Sequence, residues 1–463
     1  MKSFVYFSSQ SAFHSRVRQY LREFIELERS SISRVKELRD QRLESLLQQA
    51  VCEVPFYRDR IDTPHPDLSD FPILTKATLR ENFLSLMTRS LQLEYSGKKR
   101  KAPYSWLEVK TGGSTGVPTS VIHDREFRDR GRAARLYSQR LCGFPFGKPF
   151  FRLWGSMQEI NHARTSWKTR LQSYLGNETW LNAFQMQAGD MRRYLAAINA
   201  SNVEHLMAYV DAAAALARFA KKESVAVRPL KSIMACAGTV TDSSRALLQE
   251  VFRAHIHNMY GSRDCSSIAC ECEAGGLHYY SPHLILEVVD DDGRLLPPCQ
   301  CGRLLVTLLS NRSFPIIRYE IGDVGSLADR ECACGRPFPL MHSIEGRSVE
   351  FLSSTDGGYV SPVYIRHLIG VVHNSGLIRK FQLVQHSRFD FELKLELDAG
   401  FTDDRQQETQ RLLDRDLTAV LGREARIRQV QVAEIPCLSS GKFLYTINHY
   451  LPTNENSVLS HSA

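Results

Sequence analysis

The segment from residue 150 to residue 260 constrains the fold most, because helix-like and strand-like stretches alternate along it. Such alternation is typical of α/β proteins, in which helices cover a largely parallel sheet. From Leu284 the pattern changes to successive apolar strands, the first of which ends at an Asp-Asp-Gly turn. A chain of 463 residues is also too long for one compact core. We therefore expect an α/β fold with at least two domains.

The C-terminal part of the chain has a pattern of its own. Apolar and charged residues alternate strictly over residues 389–397, which predicts a half-buried strand. A leucine-rich helix follows and ends at Gly422, a residue suited to a helix C-cap. A further strand contains Val430 and Val432. These features predict a small α+β domain over residues 347–463, after an N-terminal domain over residues 1–346.

Composition and charge narrow the classes of function. Apolar residues make up 43% of the chain and charged residues 24%, which is an ordinary globular balance. The net charge of +8 suits an anionic substrate such as a nucleotide but does not argue for nucleic acid. The modest charge and the lack of a paired finger spacing also disfavour a zinc-dependent nucleic-acid binder. No apolar run reaches the roughly 20 residues of a membrane span, and no secretory signal is visible, so we expect a cytoplasmic location.

Residues 111–116 form a loop of glycines and hydroxyl residues between two short predicted strands, at 106–110 and 120–122. Backbone N–H groups of such a loop can turn inward and cradle phosphate oxygens. The loop lacks the Gly-Lys-Ser/Thr ending of a Walker A motif, and Pro118 with a strand follows it. The alternative is an ordinary flexible Gly/Ser turn. The members of the loop are Thr111, Gly112, Gly113, Ser114, Thr115 and Gly116.

Two weaker signals fit a nucleotide site. Asp323 follows a glycine turn, and a carboxylate there can accept hydrogen bonds from two ribose hydroxyls. Lys442 follows Ser440 and Gly441, and a lysine on a small loop can reach a phosphate as a point charge. An ordinary strand-to-turn junction and an exposed loop lysine are the alternatives at these two positions.

Taken in order, these motifs resemble the adenylate-forming superfamily. Within it, the chain is similar to the phenylacetate–CoA ligase branch and its relatives from capsular polysaccharide biosynthesis. The resemblance runs from about residue 32 to residue 450. It implies a large multilayer N-terminal adenylation domain and a small, mobile α+β C-terminal domain. The residues that carry it are Thr111 to Gly116, Tyr260-Gly261-Ser262-Arg263-Asp264, Arg318 to Asp323, Gly346-Arg347 and Ser440-Gly441-Lys442.

The resemblance implies a role for each motif. The loop at 111–116 would hold the ATP phosphates, and Tyr260 with Gly261 would lie beside adenine. Asp323 and Arg347 would bind the ribose. Lys442 would bridge the acyl carboxylate and the α-phosphate, where negative charge concentrates during the reaction.

The chain departs from the family at two positions. The family usually has a glutamate that helps to hold Mg²⁺ where this chain has Asp264, which keeps the charge on a shorter side chain. The aspartate of the family's hinge is Glu350 here.

The activity that the resemblance implies is ATP-dependent activation of a small carboxylic acid as acyl-AMP, followed by transfer to CoA. An amine or a hydroxyl is the alternative acceptor, as in an amide or ester ligase of polysaccharide or secondary-metabolite biosynthesis. A non-catalytic nucleotide-binding homologue is the remaining alternative. The sequence names neither the acid nor the pathway, and it leaves a homodimer open.

Six cysteines lie in three Cys-x-Cys pairs, at 270/272, 299/301 and 332/334. Thiolates and imidazole suit Zn²⁺, and four such ligands form a closed structural site. The resemblance implies that Cys272, His278, Cys332 and Cys334 are the ligands. The alternative is that these cysteines are buried thiols without a metal.

Overall fold

We describe the protein from a computed structural model. The chain divides into two compact units. One comprises Met1–Gly113, Pro118–Asn182 and Tyr194–Arg347, and the other comprises Ser114–Val117, Ala183–Arg193 and Ser348–Ala463. The residues that the structure describes are 15–97, 105–111, 119–155, 167–183, 186–238, 240, 242–290, 292–344, 352–356, 359–360, 364–365, 368–373, 377–398, 403–435 and 445–450. The domain boundary at 346/347 stays a prediction, because residues 345–351 are not among them.

Within these ranges the helices follow the chain in order. They are α1 Val17–Leu27, α2 Ile32–Glu53, α3 Pro55–Arg58, α4 Lys76–Glu81, α5 Arg89–Ser96, α6 Arg125–Leu141, α7 Trp167–Gly176, α8 Ala188–Ala200, α9 Val210–Lys222, α10 Asp242–Phe252 and α11 Asp403–Leu421. A 3₁₀ turn covers Leu68–Asp70 and a π-helical turn covers Leu368–Val372. No described helix is long and apolar enough to cross a membrane.

The strands of the larger unit are β1 Trp106–Thr111, β2 Thr119–Asp124, β3 Phe150–Trp154, β4 Glu178–Asn182, β5 His205–Tyr209, β6 Ser232–Cys236, β7 His255–Ser262, β8 Ser266–Glu271, β9 Leu277–Tyr279, β10 Leu284–Val289, β11 Gly302–Leu308, β12 Tyr319–Leu327 and β13 Leu340–Ile344. Those of the smaller unit are β14 Leu352–Ser353, β15 Tyr359–Val360, β16 Ile378–Gln385, β17 Asp390–Leu397, β18 Arg426–Gln431 and β19 Thr446–Asn448.

The larger unit is built on a mixed sheet. Its described strands follow the order β10-β11-β12-β13-β9-β8-β7-β6-β5-β3-β4. The strands β4, β3, β5, β6 and β7 run parallel, whereas pairing from β7 through β8 to β10 is antiparallel. β5 and β6 are buried along their whole length, as expected for strands covered on both faces. The prediction of an α/β fold is confirmed, and the change to antiparallel strands comes at β8, earlier than the predicted Leu284.

The smaller unit holds a four-stranded sheet of order β18-β17-β16-β19. The alternating stretch forms β17, in which Phe391, Leu393 and Leu395 are buried. Helix α11 ends before Gly422, which has φ +103° and whose N–H donates to Thr418 O at 3.0 Å. The predicted strand and the predicted C-cap are therefore confirmed.

Candidate active site

The predicted phosphate loop connects strands β1 and β2 in the sequence. The two strands pair in register from Trp106 with Asp124 to Thr111 with Thr119, so both predicted flanking strands are confirmed. Residues 112–118, which include Gly112, Gly113, Ser114, Thr115 and Gly116, lie outside the described residues, as does the Thr111 side chain. Arg263 Nη1 donates to Lys110 O at 3.5 Å. This contact brings the turn after β7 to the base of the loop.

Tyr260 and Asp323 meet at the same edge of the sheet. Tyr260 lies near the end of β7, and its hydroxyl donates to Asp323 Oδ2 at 2.9 Å. Gly322 has φ +89°, and the pairing of β11 with β12 is irregular at this point. Such a bulge redirects the next side chain, here the Asp323 carboxylate. Burial, together with the negative charge of Asp323, raises the pKa of Tyr260 well above its ordinary value, so the hydroxyl stays a donor.

Gly261 lies near the end of β7, and Asp264 lies in the tight turn between β7 and β8. A Cβ on Gly261 would collide with the carbonyl oxygen of Ser266, so this close approach requires glycine. Asp264 is buried, and its Oδ2 accepts a hydrogen bond of 2.7 Å from the Tyr319 hydroxyl. His123 Nε2 lies 2.9 Å from Asp264 O. Within the described ranges, no hydrogen bond reaches the other carboxylate oxygen, Asp264 Oδ1.

Lys76 is a residue at this site to which the sequence gave no role. It is the first residue of α4, which Thr75 caps by accepting from Thr78 N. Lys76 Nζ donates to Ile321 O at 3.0 Å, next to the bulge that directs Asp323. The Phe-Pro-Ile-Leu-Thr-Lys motif at 71–76 signals the helix cap at Thr75, but the contact of Lys76 with Ile321 depends on the long-range bridge between Leu74 and Tyr319. Arg347 and Lys442, by contrast, lie outside the described residues.

The four predicted metal ligands come together at a second place in the larger unit. The ligand atoms of Cys272, His278, Cys332 and Cys334 all lie within 4.8 Å of one another. Cys272 Sγ is 3.6 Å from Cys332 Sγ, and His278 Nε2 is 3.2 Å from Cys334 Sγ. His278 Nδ1 lies 2.7 Å from Phe338 O, so a proton on Nδ1 leaves the Nε2 lone pair facing the thiols.

The backbone around the cluster is shaped for close approach. A Cβ on Gly276 would lie 2.5 Å from Cys332 Sγ, so only glycine fits there. Gly335 has φ +72° and donates to Cys332 O at 3.0 Å, which closes the tight turn between Cys332 and Cys334. Burial raises the pKa of the Cys272 thiol to about 12. Three thiols and one imidazole in this arrangement match the donor set of a structural zinc site.

The other paired cysteines lie elsewhere. Cys270 is buried in β8, with its Sγ 3.8 Å from Cys142 Sγ, whereas Cys272 follows the end of the strand and turns to the cluster. Cys299 and Cys301 are exposed. Cys272 therefore lies in the cluster, whereas Cys270 of the same Cys-x-Cys pair does not.

Comparison with known proteins places this geometry in context. Residues 352–449 match the model of the CapK C-terminal domain. Phenylacetate-coenzyme A ligase from Thermus thermophilus is 24% identical over 403 residues, which cover 83% of this chain and 86% of that protein. The enzyme of the same name from Pseudomonas putida is 23% identical over 400 residues, covering 81% and 84%.

The fold comparison extends over more of the chain. The structure of 2-hydroxyisobutyryl-CoA ligase with 2-HIB-AMP and CoA in the thioesterification state superimposes with a TM-score of 0.57 at 18% identity, covering 91% of both chains. The fold is that of the adenylate-forming enzymes. A second structure of the ligase, in its postadenylation state, has a TM-score of 0.53 at 19% identity. The resemblance predicted from the order of the motifs is therefore confirmed, at low identity along an adenylate-forming fold.

Proposed function

We propose that this chain activates a carboxylic acid with ATP as an acyl-adenylate and then transfers the acyl group to CoA. Support comes from similarity to phenylacetate-coenzyme A ligases over four-fifths of the chain. The observation that carries most weight is the hydrogen bond between Tyr260 and Asp323, beside the β7–β8 turn and the stem of the glycine loop. Residues that are far apart in sequence thus surround one edge of the sheet.

In the first half-reaction, a carboxylate oxygen of the acid attacks the α-phosphorus of ATP. The bond from that phosphorus to the bridging oxygen breaks, and pyrophosphate leaves. The barrier is chiefly electrostatic, because two anions approach each other. Lys442 bridges the carboxylate and the α-phosphate, and the backbone N–H groups of residues 111–116 hold the β- and γ-phosphates. Asp264 would hold Mg²⁺, which would supply positive charge to offset that of the phosphates.

The nucleoside is held by the residues around the bulge in β12. The Asp323 carboxylate accepts hydrogen bonds from the ribose hydroxyls, and the Arg347 guanidinium donates to them. The ring of Tyr260 lies beside adenine. The hydroxyl of Tyr260 fixes the orientation of Asp323 through their shared hydrogen bond. This positioning places the α-phosphorus in line with the incoming carboxylate, which lowers the entropic cost of reaction.

In the second half-reaction, the sulfur of CoA attacks the carbonyl carbon of the acyl-adenylate. The bond from that carbon to the phosphate oxygen breaks, AMP leaves, and the thiol proton passes to solvent. Lys442 must withdraw between the two steps so that the thiol can approach, which is why a mobile loop suits it.

The proposal includes a structural zinc ion at Cys272, His278, Cys332 and Cys334. Such an ion ties the turn after β8 to the loop before β13 and takes no part in the chemistry. The close thiol–thiol and thiol–imidazole approaches and the glycine cradle support it. Metal analysis of freshly purified protein tests it, with one zinc per chain expected.

The test of the activity is pyrophosphate release from ATP and Mg²⁺ across a panel of aryl, alkyl and amino acids, with and without CoA. We expect release that depends on a particular acid and that CoA stimulates. Acid-dependent release that an amine stimulates instead of CoA would redirect the second half-reaction to amide formation. ATP binding without release from any acid would favour a nucleotide-binding homologue.

A further inference from the structure

Asp211 is an acidic side chain at the sheet edge that the proposed chemistry leaves without a role. It lies in the first turn of α9, two residues after the end of β5. Tyr209 of β5 pairs with Cys236 of β6, and Cys236 pairs with Met259 of β7, so the last residues of β5 and β6 lie level with Met259, the residue before Tyr260. Neighbouring strands lie about 4.8 Å apart, so β5 is about 10 Å from β7, which carries Tyr260. Ligands of α/β sheets bind at this edge, beyond the carboxyl ends of parallel strands.

The carboxylate of Asp211 is directed at the turn that follows β6. A Cβ built on Gly238 would lie 3.4 Å from Asp211 Oδ2. Ala237, between β6 and Gly238, has φ +58°, a left-handed conformation that is unfavourable for a non-glycine residue. Strain of this kind clusters at ligand-binding sites. The β6 turn therefore approaches the carboxylate closely at a strained point of the backbone.

Helix capping does not account for Asp211. Acidic residues are common in the first turn of helices, where they accept from free backbone N–H groups. The cap of α9 is Tyr209, and no side chain makes a capping hydrogen bond there. Among the described residues none donates a hydrogen bond to Asp211, and the charge that acts on it is Arg218, exposed on the same helix. Burial raises the pKa of Asp211 to about 7, although the positive charge of Arg218 acts to lower it. The carboxylate is thus largely desolvated, and no hydrogen-bond donor faces it within the ranges that the structure describes.

Aromatic rings border the same edge. Trp154 ends β3, the other neighbour of β5, and its ring centroid is 4.3 Å from that of Tyr209. The Tyr209 hydroxyl donates to Gly155 O at 2.8 Å, which fixes the ring. Arg152 already lies over the Trp154 ring, with its Cζ 5.9 Å from the ring centroid, so the aromatic pair offers apolar contact to a ligand. A desolvated carboxylate attracts a cation more strongly than an exposed one, so Asp211 is the feature that favours a positively charged ligand.

We propose that Asp211 binds an ammonium group of the carboxylic acid, so that the acid this chain activates is an amino acid or another amine-bearing acid. The inference rests on the proposed function for the reaction but on Asp211, Gly238 and the Trp154–Tyr209 pair for the substrate class. The ammonium group supplies a hydrogen-bond donor that the described part of the chain does not give Asp211. An uncharged acid leaves the carboxylate unpaired and binds more weakly.

The test compares acids that differ by the amine alone. The pairs are phenylalanine against phenylpropionate, aminohexanoate against hexanoate, and para-aminomethylbenzoate against para-methylbenzoate. Binding is read as the rise in Tm with each acid in the presence of ATP and Mg²⁺. We expect the amine-bearing member of at least one pair to raise Tm by about 2 °C or more beyond its partner, as tighter binding demands. Equal shifts within every pair would overturn the proposal.

Two variants make the assignment specific. Asp211→Asn should abolish the difference within the pair, whereas Asp242→Asn should preserve it, because Asp242 is an exposed aspartate in the first turn of α10. A rise in Tm with ATP alone shows that each variant is folded. If Asp211→Asn does not fold, Asp211→Ser replaces it. A difference that survives at Asp211→Asn contradicts the assignment.

Pyrophosphate release with the same pairs separates this inference from the proposed function. A preference in kcat/KM of about tenfold or more for the amine-bearing acid supports both. Pyrophosphate release with uncharged acids alone would contradict the ammonium site but would support the proposed function. A third outcome is that Asp211→Asn removes amine-dependent binding while no acid supports pyrophosphate release. This outcome would contradict the proposed function but would support the ammonium site.

Discussion

At the scale of single residues, the nucleotide site depends on how Asp323 is aimed. Gly322 in its left-handed conformation turns the carboxylate out of β12, and the Tyr260 hydroxyl holds it there. The residue types were readable from sequence, because an aspartate after a glycine turn suits a ribose. The hydrogen bond was not readable, because Tyr260 and Asp323 are 63 positions apart and meet only through the sheet order.

Changes at Asp323 and Tyr260 should weaken nucleotide binding by different amounts. Asp323→Ala removes the charged acceptor and should raise the Kd for ATP by about tenfold to a hundredfold. Tyr260→Phe keeps the ring and removes only the orienting hydroxyl, so a rise of about threefold to tenfold is expected. Calorimetric titration with a non-hydrolysable ATP analogue measures both, with Tyr174→Phe at an exposed tyrosine as the control. An unchanged Kd in Asp323→Ala would contradict the site.

Asp211 gives a prediction about stability and pH. Burial raises its pKa to about 7 in the folded chain, against 3.8 as the ordinary value. The unfolded chain therefore releases this proton first, and the folded state loses stability as the pH rises from about 4 to about 7. Asparagine does not ionise, so the gain in Tm from Asp211→Asn in ligand-free protein should be larger at pH 8 than at pH 5. Differential scanning calorimetry checks this, and an equal gain at both pH values would refute it.

At the scale of secondary structure elements, local sequence patterns predicted individual strands and caps, but they did not predict which distant residues would meet. The strand at β17, the cap at Gly422 and the hairpin strands around the glycine loop follow from alternation and turn residues. The four candidate zinc ligands also lie together as expected, because β8, β9 and the loop before β13 are adjacent. The position of Lys76 beside Ile321 was missed, since it depends on a bridge between Leu74 and Tyr319 that no local pattern reveals.

The chain offers a matched pair of variants for the zinc proposal. Cys334→Ser removes one candidate ligand and should lower the bound zinc to well under one per chain, with a fall in Tm of about 5 °C or more. Cys301→Ser changes an exposed cysteine of another Cys-x-Cys pair and should alter neither quantity. Elemental analysis and thermal unfolding measure the two effects. Zinc retained at one per chain in Cys334→Ser would exclude that residue as a ligand.

At the scale of the whole molecule, the alternation of residues 150–260 predicted a parallel sheet, and the structure contains one from β4 to β7. Its extension by antiparallel strands out to β10 followed less directly, because β9 has only three residues and comes directly after Gly275 and Gly276. The prediction of a mobile C-terminal domain remains a prediction, as does the role of Lys442.

We expect Lys442 to act in the first half-reaction only, so a variant at this position should separate the two half-reactions. Lys442→Ala should abolish acyl-adenylate formation, by about a hundredfold or more, because it removes the charge at the reacting phosphate. The same variant should retain ATP binding and should convert a chemically prepared acyl-adenylate and CoA to thioester. Lys222→Ala, at an exposed position of α9, serves as the control. Wild-type formation of acyl-adenylate by Lys442→Ala would exclude the proposed role.

The central claim is that the acid's own oxygen attacks the α-phosphorus of ATP. The acid that supports pyrophosphate release, labelled with oxygen-18 in its carboxyl group, tests this when incubated with ATP, Mg²⁺, CoA and the protein. Mass spectrometry of the released AMP reads the result. We predict AMP that carries one labelled oxygen, because attack of the thiol at the carbonyl carbon breaks the C–O bond of the mixed anhydride and leaves the acid's oxygen on AMP. Unlabelled AMP, or ADP in its place, would contradict an acyl-adenylate and with it the proposed function.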